Sequence, residues 1–318
     1  MSRSLPLPRC ACIDVGSNTT RLLVAEADGT RLHELVSERA FTRLGASGVG
    51  GASGAGAVGP HKIAEVAAIV AHQARLASEL GVDSMRVVAT AAVRHAIDKQ
   101  ALVAAIDAAC GTTLEVLSAE DEARLAFHGA IGTLAEPPPG LLGVVDVGGG
   151  STELVVGTAA GGVTWSVSLA VGSWVLTVAD LPSDPPTPAQ LDGLRDKLVR
   201  VFAAVQAPQP VVAYAVGGSA TSMRRLMGVA LECEALERGL QALVTRPAAE
   251  AAVHLGLHAE RARLLPAGIL LLDAAARALQ APLRLADGGL REGVVLEQLA
   301  ALEGLDGQGG PGARERRR

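Results

Sequence analysis

Aromatic residues, long apolar runs and an excess of one charge are all scarce in this chain. Aromatic residues make up 2% of its 318 residues and hydrophobic residues 49%, so a large core has to be aliphatic and rich in alanine. No uncharged apolar run reaches about eighteen residues, so no membrane-spanning helix is expected. The first residues, MSRSLPLPRC, lack the apolar centre of a signal peptide, which favours a cytoplasmic protein.

Cysteine is also scarce, and its spacing argues against a metal site. The cysteines stand at positions 10, 12, 110 and 233, so the close pair has no second pair at zinc spacing. We therefore expect reduced thiols, with Cys12 at the start of the first strand. The formal net charge of −5 does not favour general nucleic-acid binding, although a local basic cleft can still hold an anionic ligand.

What the sequence does contain is one hairpin motif that occurs twice. The segments CIDVGSNTTRLLVAE (12–26) and GVVDVGGGSTELVVG (143–157) each place a polar loop between two apolar runs, which predicts two strands joined by a tight turn. The copies align as Asp14 with Asp146, Gly16 with Gly148 and Thr20 with Thr152. This duplication predicts an α/β protein of two similar halves, beginning near residues 10 and 141, with a cleft between them.

Capping signals and apolar periodicity predict several helices. A proline at position 60 opens one helix, and Gly111 ends another that begins at Lys99. A third helix is expected over 188–205. A largely apolar helix at 260–280 is expected to bend where it begins, at Pro266.

Glycine-rich and terminal segments predict turns and loops. Residues 45–59 are almost all glycine, alanine and serine, which predicts a flexible surface loop with no assigned function. Residues 211–228 are expected to form a strand, a Gly-Gly-Ser turn and a helix start. The tail from residue 303 is expected to be disordered.

The loops of the two hairpins have the composition of an anion-binding site. Glycines expose backbone N–H groups, and hydroxyl side chains add further donors. A third glycine turn, placed before a helix, is a further candidate phosphate contact. The candidate phosphate-binding residues are Gly16, Ser17, Asn18, Thr19, Gly148, Gly149, Gly150, Ser151, Gly217, Gly218 and Ser219.

Carboxylates beside these loops point to a cation. An aspartate next to a phosphate would be repelled by it unless a cation lay between them. Mg²⁺ prefers oxygen ligands and bridges to phosphates, and Mn²⁺ is a possible substitute. The candidate metal ligands are Asp14, Asp146 and Glu153.

An acidic triplet follows Ser118. The spacing of Ser118 and Asp121 matches a capping box, so a helix is expected to start at 118. Glu120, Asp121 and Glu122 fill its first turn, where the helix dipole favours acidic groups. The pattern by itself favours a purely stabilising role for all three.

Seven segments, in this order, resemble the exopolyphosphatase/guanosine-pentaphosphate phosphohydrolase family. They cover the chain from about 11 to 302 and read DVGSNTTRLLV, VVATAAVRHA, LSAEDEARLAFHGA, DVGGGSTELVVG, AVGGSAT, LPAGILLL and GGLREGVVLEQ. The resemblance implies the superfold of actin, sugar kinases and heat-shock ATPases, with two ribonuclease-H-like domains around a central cleft.

The resemblance also implies a short, two-domain form of the family. The expected domains are residues 1–128, to which a helix at about 291–303 packs back, and residues 129–290. Residues 304–318 are expected to form a disordered tail.

The resemblance implies roles for single residues as well. Glu122 matches the catalytic base and Asp146 a metal-associated aspartate, whereas Arg21 and Arg94 match arginines that meet phosphate. Two departures from the family pattern are Ala119, where members usually have glycine, and Val175, where an arginine is often found. The second departure removes a cation that would help to hold an anionic chain.

The implied activity is Mg²⁺-dependent hydrolysis of the terminal phosphoanhydride of inorganic polyphosphate, with a glutamate that activates water. One alternative is removal of the terminal phosphate of guanosine pentaphosphate, and another is a non-catalytic protein that binds a phosphorylated alarmone. A kinase of the same superfold is a weaker option. The expected partners are polyphosphate or a phosphorylated guanosine nucleotide, without nucleic acid or membrane, and a homodimer is possible.

Overall fold

The computed structural model describes residues 7–28, 31–47 and 56–308, and the first half of these residues forms a mixed sheet. Its strands are β1 (Arg9–Val15), β2 (Thr20–Asp28), β3 (Arg31–Ala40), β4 (Ser84–Ala89) and β5 (Leu114–Val116). Their order is β3-β2-β1-β4-β5. The first three are antiparallel neighbours, while β4 and β5 run parallel to β1.

The second half repeats this sheet. Its strands are β6 (Leu142–Val147), β7 (Thr152–Thr158), β8 (Gly162–Leu169), β9 (Val212–Val216) and β10 (Leu283–Leu285). Read from β8, the order is β8-β7-β6-β9-β10, so β6 takes the place of β1. The strand pairs also keep the same directions. The predicted duplication and the two ribonuclease-H-like domains are therefore confirmed.

Helices cover the faces of both sheets. They are α1 (Pro60–Glu79), α2 (Ala91–Arg94), α3 (Lys99–Cys110), α4 (Ala119–Gly132), α5 (Ser173–Asp180), α6 (Pro188–Phe202), α7 (Gly217–Met227), α8 (Cys233–Val244), α9 (Ala248–Leu255), α10 (Ala259–Leu279) and α11 (Leu290–Gln308). A short 3₁₀ helix spans Leu44–Ser47. Within the described ranges, no helix has the length and apolar character needed to cross a membrane.

Local signals explain several helix ends. Pro60 is the first residue of α1, where its missing N–H costs no hydrogen bond. Gly111 ends α3 at a φ of 69°, a left-handed conformation that glycine adopts without strain. Ser118 caps α4, because its hydroxyl oxygen accepts a hydrogen bond of 3.0 Å from the Asp121 N–H. These three predictions are confirmed.

Two helices fill the space between the sheets. The apolar residues of α4, such as Phe127 and Ile131, pack against β6, β7 and β9 of the second sheet. Those of α11, such as Val294 and Val295, pack against the first sheet beside Cys10 and Cys12. This packing supports a C-terminal helix that returns to the first domain. The domain boundary near residue 128 stays a prediction, and the packing of α4 favours a boundary before this helix.

The structure corrects three predicted elements. Pro266 lies inside α10 and not at its beginning, because burial of the flanking turns outweighs a cost of about 3 kcal/mol for an interior proline. The Gly-Gly-Ser segment is the first turn of α7 and not a separate turn. The first strand begins at Arg9 and not at Cys12.

The predictions for the two loop-like segments have different outcomes. α11 continues to Gln308, so the predicted disorder is wrong for 304–308, and 309–318 lie outside the described residues. Of the predicted surface loop at 45–59, residues 45–47 belong to the 3₁₀ helix, and 48–55 lie outside the described part.

Candidate functional site

A cavity of about 150 Å³ lies between the two halves, at the ends of β1 and β6. It is polar and is formed by the two hairpin loops together with residues of α4, α7, α10 and α11. Most of the candidate residues predicted from the sequence line it. They are Asp14, Gly16, Ser17, Asn18, Thr19, Arg21, Glu122, Asp146, Gly148, Gly149, Gly150, Ser151, Glu153, Gly217 and Gly218.

The two hairpin loops have the same internal hydrogen bond. In the first, the Gly16 N–H donates to the Thr19 carbonyl at 3.0 Å. In the second, the Gly148 N–H donates to the Ser151 carbonyl, also at 3.0 Å. Each loop is therefore a tight turn closed over three residues, as the sequence repeat predicts.

Neighbouring segments bind the carbonyl groups of both loops. The N–H of Gly45 donates to the Ser17 carbonyl at 2.8 Å, from the 3₁₀ helix. On the other side, the N–H of Trp174 donates to the Gly149 carbonyl at 3.0 Å, from the first turn of α5. Among the described residues, the N–H groups of the loop residues between these closing bonds have no acceptor. Such unpaired N–H groups form an anion-binding concavity.

The loops touch each other, and small residues permit the contact. A Cβ on Gly149 would lie 3.1 Å from the Ser17 Cβ, and a Cβ on Gly150 would lie 2.9 Å from the Ser17 hydroxyl oxygen. Asn18 is buried beside this contact, and neither its amide nitrogen nor its amide oxygen has a partner in the described structure. An unpartnered amide at the cavity wall is suited to a polar ligand.

Gly217 has two reasons to be glycine. Its φ is 83°, in the left-handed region that residues with a side chain avoid. A Cβ at this position would also lie 2.5 Å from Asp146 Oδ1. The start of α7 is therefore brought directly against the carboxylate at the end of β6.

Two aspartates face the cavity from corresponding strands. Burial raises the pKa of Asp14 to about 6, although the Arg21 and Arg291 charges oppose this effect. Burial and the charge of Glu153 raise the pKa of Asp146 to about 7. Asp14 Oδ1 has no hydrogen-bond partner among the described residues. A buried, unpartnered carboxylate oxygen next to a second carboxylate suits a cation.

Glu153 is less available as a metal ligand than the two aspartates. Its Oε1 accepts a hydrogen bond of 2.7 Å from the Ser168 hydroxyl. The described residues contain no group of three His, Cys, Asp or Glu side chains that could hold a metal ion by themselves. A magnesium ion bound here would therefore complete its coordination with water and phosphate oxygens, as Mg²⁺ does at many phosphate sites.

Glu122 is a buried carboxylate at the cavity wall, on α4. Its side chain is buried, and its Oε2 accepts a hydrogen bond of 3.0 Å from Arg94 Nη1. Burial raises the pKa of Glu122 well above its usual range, and the charge of Glu153 adds to the increase, while Arg94 opposes it. Glu120 is exposed, so burial separates Glu122 from this neighbour in the acidic triplet.

Two of the predicted phosphate contacts lie elsewhere. Arg94 does not line the cavity. Its guanidinium group donates to Glu122 and also to the Leu117 carbonyl at 2.7 Å, so it holds the Glu122 carboxylate in place. Ser219 is fully buried under α10 next to Gly268, where its hydroxyl oxygen has no partner in the described structure. Helical periodicity turns Ser219 away from the cavity that Gly217 and Gly218 line.

Sequence reasoning does not find two arginines of the cavity. Arg261 lies on α10 against the Gly218 backbone, and burial together with the charge of Arg39 lowers its pKa to about 10. Arg291, at the start of α11, is buried and donates to the Leu22 carbonyl at 3.3 Å. Both follow the hairpins by more than a hundred residues, so no local pattern links them to the site. The segment GGLREGVVLEQ contains Arg291, but the segment alone gives this arginine no role.

The fold and the cavity together define a class of protein. It is a protein of two ribonuclease-H-like domains with a polar cavity between their sheets. The chain belongs to the Ppx/GppA phosphatase family, because the sequence model of that family matches residues 23–302. The resemblance noted from the motifs is thereby confirmed.

Two curated relatives show how far the similarity extends. Exopolyphosphatase 1 of Mycobacterium tuberculosis is 30% identical over 310 residues, which are 92% of this chain and 88% of that protein. Exopolyphosphatase 2 of the same species is 34% identical over 205 residues, so the match spans 62% of its length, less than two thirds.

Solved structures agree with the fold. The family member from Aquifex aeolicus has a TM-score of 0.77 and 26% identity, and the match covers 96% of this chain and 100% of that chain. An exopolyphosphatase from Cytophaga hutchinsonii has a TM-score of 0.80 at 21% identity, over 92% of this chain and 98% of that chain, which shows a common fold.

Proposed function

We propose that this chain is an exopolyphosphatase, which removes the terminal phosphate of inorganic polyphosphate as orthophosphate. The observation that carries the proposal is a small cavity with unpaired N–H groups on two facing loops and a buried glutamate on its wall. Two relatives named exopolyphosphatase support the choice of substrate.

The terminal phosphoryl group would lie between the two loops. The N–H groups of Asn18 and Gly149 belong to the donors that would bind its oxygens, and Arg21 and Arg261 face it from opposite halves. Fixed donors of this kind stabilise charge that spreads over the phosphoryl oxygens during transfer.

Glu122 would act on the attacking water. Its carboxylate accepts the water proton, and the water oxygen forms a bond to the terminal phosphorus. The bond from that phosphorus to the bridging oxygen breaks, and its electron pair stays on the shortened chain. The products are orthophosphate and a polyphosphate with one phosphate fewer.

Asp14 and Asp146 would hold a magnesium ion. Both aspartates line the cavity, and the buried, unpartnered Oδ1 of Asp14 fits a cation, as described above. When bound, the ion supplies positive charge that neutralises phosphate oxygens next to the two carboxylates. Glu153 would act indirectly, because its charge raises the pKa of Asp146.

The dimensions of the cavity fit a terminal phosphoryl group, and the relatives named exopolyphosphatase favour polyphosphate as its source. At about 150 Å³ the cavity is smaller than sites for drug-sized ligands, which are about 300–1,000 Å³, so it suits a phosphoryl group and not a nucleoside. Guanosine pentaphosphate remains the second candidate, since its terminal phosphate could enter in the same way. A protein that only binds an alarmone would not need a buried carboxylate at this position.

A comparison of substrates tests the proposal. Orthophosphate release is measured from long-chain polyphosphate, tripolyphosphate and guanosine pentaphosphate, each with Mg²⁺ and with a chelator. We expect Mg²⁺-dependent release that is fastest from polyphosphate. Release from guanosine pentaphosphate alone would establish the alternative substrate, and tight nucleotide binding without any release would contradict enzymatic function.

A further inference from the structure

Two arginines outside the cavity continue the basic wall that Arg21 begins. Arg39 on β3 is the direct cross-strand partner of Arg21 on β2, so both side chains lie on the same face of the sheet. Arg21 lines the cavity, whereas Arg39 is exposed one strand further out. The first half of the chain therefore presents two adjacent guanidinium groups, one inside the cavity and one outside.

The second half presents a corresponding arginine. Gly217 and Thr221 of α7 both line the cavity. Arg225 follows Thr221 by four residues, so it lies one turn further along the same face of the helix. It is exposed, like Arg39.

The outer arginines are close enough to influence one another across the two halves. Burial and the positive charges of Arg291 and Arg225 lower the pKa of Arg39. Arg39 in turn lowers the pKa of the cavity arginine Arg261. The strand register and the helix periodicity likewise place Arg39 and Arg225 beside residues that line the cavity.

The arginines of this cluster lack direct ion pairs, although the charges of Asp14 and Glu292 reach Arg21. Among the described residues, Arg21, Arg39, Arg225 and Arg261 form no ion pair. Two arginines that adjoin the cluster in sequence do have partners, because Arg43 pairs with Glu260 at 2.8 Å and Arg224 pairs with Asp287. Several arginines held together without anions cost free energy unless an anionic ligand lies between them.

We propose that Arg39 and Arg225 form an outer subsite that binds those phosphates of a long linear polyphosphate that extend out of the cavity, beyond the reach of a chain of three. The proposal rests on the proposed function of the cavity and deepens it. Guanidinium groups bind phosphate through two parallel hydrogen bonds, and a row of them suits a ligand that carries one charge after another. The subsite therefore favours long chains over tripolyphosphate.

Kinetics with substrates of two lengths test the subsite. The variants are Arg39→Gln, Arg225→Gln and the double variant. The matched control is Arg200→Gln, since Arg200 is exposed on α6 and forms no ion pair among the described residues. KM and kcat are measured for long-chain polyphosphate and for tripolyphosphate at several salt concentrations.

We expect KM for long-chain polyphosphate to rise about tenfold in each single variant, which is the effect of one charge-assisted phosphate contact. The KM for tripolyphosphate should change by less than about twofold, and the salt dependence of KM for the long chain should decrease by about one unit of slope. The control should behave like the wild type. An unchanged KM for the long chain, or an equal loss for both substrates, would overturn the subsite.

Failure of the subsite can be told apart from failure of the proposed function. Binding of long-chain polyphosphate is measured in parallel, with a single-stranded DNA oligonucleotide as a second polyanion. If the wild-type protein binds polyphosphate through Arg39 and Arg225 but releases no orthophosphate, the subsite proposal stands and the proposed hydrolase activity is wrong. Binding of the oligonucleotide alone, with the same dependence on the two arginines, would refute the polyphosphate subsite.

Discussion

At the scale of single residues, burial separates the acid that can perform chemistry from the acids that only stabilise a helix. Asp121 exchanges hydrogen bonds with Ser118, as a capping residue should. Glu122 is one residue further on, and the helix turns it into the cavity wall against Arg94. The sequence pattern alone could not make this distinction, because it treats both residues as members of one acidic turn.

Arg94 is expected to set the pH range of activity. It donates a hydrogen bond to Glu122 and thereby opposes the increase of the Glu122 pKa. In Arg94→Gln the pKa of Glu122 should rise further. Because a general base has to be ionised, the acid limb of the kcat–pH profile should move to higher pH. The profile of Arg94→Gln is compared with that of Arg200→Gln.

The two possible roles of Arg94 give different results. If Arg94 positions Glu122, the Arg94→Gln substitution should lower kcat near neutral pH. Part of the activity should return at higher pH, and KM should change little. If Arg94 binds phosphate, the same substitution should instead raise KM at every pH. That result would restore the role that the sequence resemblance implies.

At the scale of elements, the crossing of α4 and α11 depends on glycine. A Cβ on Gly293 of α11 would overlap the Leu125 carbonyl oxygen of α4, and a Cβ on Gly129 of α4 would overlap the Gly289 carbonyl oxygen. The capping and turn signals of each helix were visible in the sequence, but this contact joins segments more than 150 residues apart. Local patterns predict elements and cannot predict which elements cross.

Gly293→Ala should therefore destabilise the protein. Because the obstacle is backbone and not a flexible side chain, we expect a loss of about 1–3 kcal/mol or more, as for an overpacked core. Gly304 lies in the same helix, and a Cβ added to it would meet no atom within 4 Å, so Gly304→Ala is the control and should be neutral or slightly stabilising. Urea unfolding of both variants measures the difference, and equal stabilities would contradict the described crossing.

At the scale of the whole molecule, the duplicated hairpin predicted the two sheets and the cleft. The repeat is local, and its loop residues reach the cavity from corresponding strand ends. Arg261 and Arg291 complete the wall from helices that the hairpins do not encode. Their role follows from the packing of α10 and α11, which a single sequence does not show.

The two aspartates of the cavity predict how stability depends on pH and Mg²⁺. The folded-state pKa values of Asp14 and Asp146, about 6 and about 7, exceed the ordinary value of 3.8, so the folded protein binds these protons more tightly than the unfolded chain. Their contribution to stability is present below about pH 4 and is lost as the pH rises through 6 and 7. Since Mg²⁺ binds the ionised carboxylates, it should restore stability at high pH.

Thermal unfolding with and without Mg²⁺ measures this effect. We expect Mg²⁺ to raise Tm at about pH 8 and to have little effect at about pH 5.5. In Asp146→Asn the metal-free protein should be more stable than the wild type at pH 8, and the Mg²⁺ effect should be lost. A Mg²⁺ effect of equal size at both pH values would place the ion away from these aspartates.

The central claim is that Glu122 activates water at a phosphate held between the two loops, and Glu122→Gln tests it most directly. Orthophosphate release from polyphosphate and polyphosphate binding are measured on the same preparations, with folding checked by thermal unfolding. The account predicts that kcat falls by about 10²–10⁴, the usual contribution of a general base, while Kd changes by less than about threefold. Turnover close to that of the wild type would contradict the account.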